Sequence, residues 1–124
     1  MAGKILIVDD SAVARKELKQ LFGKNGFDVL EAADAAEGLE MLKSEAVVLV
    51  LCDVVMPGMD GKKMVSALRK IDGLATLPVV MLTADLGNNV DEMSHSAVET
   101  VWITKPINHS ILLEVATRAL NAAN

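Results

Sequence analysis

The chain contains no tyrosine, one tryptophan and two phenylalanines, so aromatic side chains cannot build its core. Aliphatic residues have to fill it, with seven methionines as adaptable filler. Trp102 therefore stands out. A single cysteine, Cys52, excludes an internal disulfide, and its place at the end of an apolar run points to a buried, inert thiol in a reducing compartment. Basic residues are in deficit. A formal charge of −5 opposes attraction to phosphate backbones or anionic lipid, which argues against direct nucleic-acid binding and against a membrane-surface role. No apolar run approaches the length that spans a bilayer. Only Ile5 to Val8 lie between Lys4 and Asp9, too few for the core of a signal peptide, so a cytoplasmic protein is expected. Linkers, repeats and low-complexity segments are also missing.

What remains is material for one domain over residues 1–124, with 52% of the residues apolar. Five short apolar runs recur at nearly regular intervals: Ile5 to Val8, Phe27 to Leu30, Val47 to Cys52, Val79 to Leu82 and Val101 to Ile103. The third is continuously apolar rather than alternating, which is the signature of a strand covered on both faces. Helical stripes lie between the runs. Ala14, Leu18, Leu21 and Phe22 form one, with Arg15, Lys16, Glu17 and Lys19 assigned to its opposite face. Ala35, Leu39 and Leu42 form a second. Met64, Val65, Leu68 and Ile71 form a third, started by Asp60 as N-cap, and Ile111, Leu112, Val115, Ala116, Ala119 and Leu120 a last one, capped by Asn108. A weaker stripe, Leu86, Val90, Met93 and Ala97, is diluted by Gly87, Asn88, Asn89 and Ser94, which have low helix propensity. Five strand-helix units in series predict one open parallel sheet with helices on both faces.

In such a sheet the functional crevice lies beyond the carboxyl ends of the strands. The residues there are unusually polar: Asp9-Asp10-Ser11 after the first run, Asp53 after the third, Thr83-Ala84-Asp85 after the fourth and Thr104-Lys105-Pro106 after the fifth. Three carboxylates converging on one crevice repel one another unless a cation neutralises them. All-oxygen ligation suits Mg²⁺ or Mn²⁺, and no Cys/His cluster competes for the role. Lys105 adds a point charge and Thr83 a hydroxyl donor, which completes a set suited to phosphoryl transfer onto a carboxylate. Asp9, Asp10 and Ser11 could alternatively cap the first helix. Asp53 has no such structural duty in view.

The segments Ile5-Leu6-Ile7-Val8-Asp9-Asp10-Ser11, Cys52-Asp53-Val54-Val55-Met56-Pro57-Gly58-Met59-Asp60-Gly61, Val79-Val80-Met81-Leu82-Thr83-Ala84 and Thr104-Lys105-Pro106 closely resemble the receiver domains of two-component signalling. The resemblance spans essentially the whole chain. It implies a flavodoxin-like doubly wound α/β fold with strand order 2-1-3-4-5. It also implies Asp53 as phosphoacceptor, Asp10, Asp53 and the Val55 carbonyl as direct metal ligands, and Asp9 as a ligand through water. Lys105, Thr83 and the Ala84 N–H would hold the phosphoryl oxygens, and the Lys105-Pro106 bond would be cis. The implied donor is a phosphohistidine on a histidine kinase or a histidine phosphotransfer protein, and the output a conformational shift read by a downstream effector. Such a domain is a switch that catalyses its own phosphorylation and dephosphorylation rather than a turnover enzyme. Thr83 and Trp102 would carry the switch.

Three positions depart from the family pattern. Trp102 stands where Tyr or Phe is usual, Val98-Glu99 where a small pair is common, and Ile107 where Phe is frequent. Rival readings fit less well. A haloacid-dehalogenase-type phosphatase would want an Asp-x-Asp pattern after the first strand, and a flavin or dinucleotide module a glycine-rich turn after Val8. An unphosphorylated interaction domain would not need all five chemical positions.

Overall fold

The computed structural model describes residues 3–84 and 100–122. Five parallel strands, β1 (Lys4–Val8), β2 (Asp28–Ala32), β3 (Val47–Asp53), β4 (Val79–Thr83) and β5 (Thr100–Thr104), form one sheet in the order β2-β1-β3-β4-β5. Four helices are described: α1 (Ala12–Lys24), α2 (Ala35–Ser44), α3 (Gly61–Leu68) and α4 (His109–Ala122). The fold is the flavodoxin-like one that the apolar runs and the resemblance predicted. The weak stripe over Leu86, Val90, Met93 and Ala97, together with Asp85 and the Val98-Glu99 pair, lies outside the described residues.

Each central strand is apolar on both faces because each face meets helices. In β1, Ile5 and Ile7 enter a core with Leu18 and Phe22 of α1 and Leu112 and Ala116 of α4, whereas Leu6 and Val8 enter one with Leu42 of α2 and Met64 and Leu68 of α3. β3 divides in the same way, with Leu49 and Leu51 on the α1/α4 side and Val50 and Cys52 on the α2/α3 side. All of these strand residues are fully buried. Burial of each such side chain contributes roughly 1.5–3 kcal/mol, so the two cores hold the sheet from both sides. Asp53 ends β3 in register with Leu49 and Leu51, on the α1/α4 face.

Most strands extend their apolar runs by a residue, and two departures from the sequence pattern bear on packing. The second strand begins and ends later than the run Phe27 to Leu30, because β1 pairs with Asp28 through Ala32. Phe27 instead closes the end of α1: its N–H donates to the Phe22 carbonyl at 3.1 Å, and its ring meets that of Phe22 edge-on at 5.9 Å. The third helix stops at Leu68, one turn short of Ile71. The Ile71 N–H donates to the Leu68 carbonyl at 3.0 Å in a tightened turn, so Ile71 still reaches the α2/α3 core without being helical. Beyond it the Arg69 guanidinium donates to the carbonyls of Leu74 and Leu77 and to the Thr100 hydroxyl at the start of β5.

Candidate functional site

The strand order reverses between β1 and β3, and at such a switch point the loops diverge and leave a crevice. Val8 pairs with Cys52 across these strands. The next residues along the two strands are Asp9 and Asp53, so two carboxylates that are distant in sequence become neighbours. Asp10 joins them. One oxygen from each of Asp9, Asp10 and Asp53 lies within 4.8 Å of the others. Asp9 and Asp53 are buried while Asp10 is exposed, so the cluster is reached from the Asp10 side.

The capping alternative is resolved by Ser11. Its hydroxyl accepts the Ala14 N–H at 3.2 Å as the N-cap of α1, and Asp9 accepts the Ser11 N–H at 2.9 Å. Asp60 and Asn108 cap α3 and α4 as their spacing predicted, accepting the N–H groups of Lys63 at 2.9 Å and Ile111 at 3.0 Å. The sequence pattern does not mark the α2 cap: Asp34 accepts the Glu37 N–H at 2.9 Å, and the Glu37 carboxylate accepts the N–H of Ala33, the residue before the cap, at 2.7 Å.

Lys105 reaches the cluster from the turn after β5, where the Lys105-Pro106 bond is cis as the resemblance implied. Its Nζ lies 3.2 Å from Oδ1 of Asp53, and its backbone N–H donates to the Thr83 carbonyl at 2.8 Å. That bond ties the two strand ends together. Thr83 is buried and Ala84 exposed at the end of β4. Val55, two residues after Asp53, is 76% exposed. Trp102 pairs with Met81 and packs on the α2/α3 core. A recess of about 310 Å³ opens beside the cluster between α1 and the β5 turn, with Asp9, Leu18, Lys105 and Ile107 among its walls.

The donor set fits a hard divalent cation. Three carboxylates face one ammonium, which offsets only part of their charge, and carboxylate oxygen is the preferred ligand of Mg²⁺ or Mn²⁺. Cys52 does not compete. Burial first, and then the charges of Asp53, Asp9 and Asp60, push its thiol up to about 12, so it stays protonated against Met64.

Burial also holds the Asp9 carboxyl above its ordinary value. The charges of Asp53 and Asp10 act in the same direction, against the Ser11 N–H and Lys105. A carboxyl with a raised folded pKa binds its proton more tightly in the folded chain than in the unfolded one. It therefore favours the fold at low pH, and that contribution is lost as pH rises through the folded value. Asp9→Asn keeps an oxygen for the Ser11 N–H and removes the charge. It is expected to raise the melting temperature of the metal-free protein at pH 7 by a few degrees, about 1 kcal/mol. The gain should shrink as pH falls into the carboxylate range, and thermal melts in chelator across that range check it. An equal gain at low pH would contradict the buried-charge origin.

Arg15 was missed by the sequence pattern, which assigned it to the solvent face of α1. Its side chain is only 17% exposed and turns back toward Asp9 and Glu31. Nothing in helical periodicity marks this, because a long side chain can leave the direction of its own Cβ.

Residues 5–117 match the response regulator receiver domain. The chain is 34% identical to the chemotaxis protein CheY of Bacillus subtilis over 122 residues, covering 98% of this chain and 100% of that one. It is 31% identical to the sensor histidine kinase CheAY of Helicobacter pylori, but there it spans only 15% of the relative's length. Among solved structures, the signal receiver domain of a signal transduction histidine kinase from Syntrophus aciditrophicus superposes with a TM-score of 0.87 at 30% identity, over 98% of this chain and 92% of that one.

Proposed function

This chain belongs to the response regulator receiver domains, a family of phosphoacceptors in two-component signalling, and on that premise we propose that Asp53 takes the phosphoryl group. The observation that carries the assignment is the convergence of Asp9, Asp10 and Asp53 at the strand-order reversal, with the Lys105 ammonium 3.2 Å from Asp53. Residues 1–124 act as one receiver unit in the cytoplasm. The donor is a phosphohistidine on a histidine kinase or a histidine phosphotransfer protein. One Asp53 carboxylate oxygen forms the new bond to phosphorus, the nitrogen–phosphorus bond breaks, and the imidazole leaves with its electron pair. Water later cleaves the acyl phosphate.

The protein's own groups divide the work. Asp53 is the nucleophile, Lys105 balances charge on the incoming phosphoryl group, and the Thr83 hydroxyl and Ala84 N–H receive its remaining oxygens. Asp10, Asp53 and the Val55 carbonyl would hold Mg²⁺ or Mn²⁺ directly, and Asp9 would hold it through water. The cation supplies neutralisation of the carboxylates and of the phosphoryl oxygens. Thr83 and Trp102 lie on neighbouring strands tied by the Thr83 and Thr104 pair. A Thr83 drawn toward the phosphoryl group would change the packing of Trp102, and a downstream effector protein would read that change.

The test is incubation with acetyl phosphate and Mg²⁺, followed by intact-mass measurement, peptide mapping and Trp102 fluorescence. One hydroxylamine-labile phosphoryl group on the peptide containing Asp53 is expected, dependent on Mg²⁺, with a shift in indole emission. Label on any other residue would overturn the assignment. An emission spectrum unchanged at full occupancy would remove Trp102 from the switch.

A further inference from the structure

Asp10 is the exposed member of the carboxylate cluster, so its aim depends on the main chain beneath it. The peptide joining Asp9 to Asp10 is a rigid plane, with the Asp9 carbonyl and the Asp10 N–H on opposite edges. A hydrogen bond from a charged donor to its oxygen resists rotation of the plane. Nη1 of Arg15 donates to that oxygen at 2.7 Å. Nε of the same guanidinium lies 3.4 Å from Oε1 of Glu31 in β2, and Lys19 lies 3.5 Å from Oε2 of Glu31. Glu31 pairs with Ile7 in the sheet, so its position is set by β1 itself.

The rest of Asp9 is held as well. Its N–H donates to the Ala32 carbonyl at 3.1 Å and its carboxylate accepts the Ser11 N–H at 2.9 Å. With Arg15 on the carbonyl, N–H, C=O and side chain all have partners. This arrangement differs from an ordinary surface ion pair such as Arg118 with Glu114, whose side chains are 77% and 59% exposed. The Arg15 and Glu31 side chains are 17% and 32% exposed.

We propose that Arg15, oriented by Glu31, is a positioning residue of the cation site: it locks the Asp9–Asp10 peptide and thereby the direction from which the Asp10 carboxylate enters. The inference rests on the reading of Asp10 as a ligand. Its basis is geometric rather than a matter of charge. A planar guanidinium can hold a carbonyl and a carboxylate at once in a fixed fork, whereas a lysine ammonium is a single point on a flexible stem. Groups that orient metal ligands typically account for 10–100-fold in affinity.

The experiment compares Arg15→Met, Arg15→Lys, Glu31→Gln and Lys19→Ala by Mg²⁺ titration calorimetry and by amide exchange of the metal-free protein, each variant first shown to be folded. Arg15→Met and Arg15→Lys should both weaken Mg²⁺ binding about tenfold, Glu31→Gln about threefold, and Lys19→Ala less than twofold. Exchange at the Asp9 and Ser11 amides should quicken severalfold in Arg15→Met while the amides of β3 stay at the parental rate. Parental Mg²⁺ affinity in Arg15→Lys would show that charge alone suffices and overturn the proposal. Parental exchange at Asp9 and Ser11 in Arg15→Met would overturn it independently of the metal. Asp10→Asn serves as the separate control on the ligand assignment. If it binds Mg²⁺ as the parent does, the ligand reading fails and the assignment of Arg15 to the cation site falls with it; weakened binding in Asp10→Asn beside parental binding in Arg15→Met overturns the Arg15 proposal alone.

Discussion

Asp53→Asn is expected to abolish phosphoryl acceptance: intact mass after acetyl phosphate and Mg²⁺ should stay at the unmodified value while the parent gains one phosphoryl group. The substitution keeps the shape of a side chain that is 11% exposed at the buried end of β3. It replaces a carboxylate oxygen with an amide that does not form a stable acyl phosphate. The fold should survive. Losing the contact with Lys105 at 3.2 Å costs stability, but relief of repulsion within the Asp9, Asp10 and Asp53 cluster offsets it. A melting temperature within a few degrees of the parent is therefore expected. Asp53→Glu is the complementary variant, since it restores the charge but moves the reacting oxygen by one methylene. Displacements on the order of 1 Å cost about a hundredfold in rate, so labelling should become slow rather than absent. Labelling of Asp53→Asn at the parental rate would falsify the assignment.

Gly61→Ala should unfold the protein about 10 °C earlier and slow phosphorylation at least tenfold, on the order of what overpacking a rigid contact costs. Gly61 opens α3, and its N–H donates to the Val54 carbonyl at 2.8 Å, so the loop from Asp53 folds back against the helix. A methyl group there would sit 2.4 Å from the Asp53 carbonyl oxygen, 3.0 Å from the Val54 Cα and 3.0 Å from the Met81 Cε. The Met81 terminus can move, but the two backbone atoms belong to the segment that carries Asp53, the proposed phosphoacceptor. Overpacking of this kind costs about 2–3 kcal/mol. Displacement of the Asp53 main chain also shifts its carboxylate relative to Lys105 and Asp10. Gly23→Ala is the matched control, because a methyl at Gly23 meets nothing within 4 Å and alanine favours the helical backbone of α1. Parental melting and labelling in Gly61→Ala, measured by circular dichroism and mass spectrometry, would show that the loop yields without consequence.

The local pattern of the sequence determined the elements and the chemistry available at their ends. Runs apolar on both faces, such as Val47 to Cys52, can be stable only where both faces are covered, and β3 lies between the two cores as that requires. Side-chain oxygens at Ser11, Asp60 and Asn108 satisfy helix N–H groups because capping is a contact between near neighbours in the chain. The polar residues after each run were legible for the same reason: a carboxylate that ends an apolar strand has to emerge at the strand's edge.

The sequence pattern expected those ends to converge, and the tertiary structure decided the contacts by which they meet. Asp9 and Asp53 are neighbours because β1 lies beside β3 rather than only beside β2, and that adjacency depends on crossovers that no short window encodes. Phe27 left the strand pattern because the β1–β2 register and the Phe22 ring drew it to the end of α1. Ile71 kept its contact with the core after the helix had ended. Arg15 shows the limit most clearly. Periodicity assigns the direction of a Cβ, but a guanidinium at the end of a flexible stem goes where its partners are, and here they are a carbonyl after β1 and a carboxylate in β2 that only the packed sheet brings within reach.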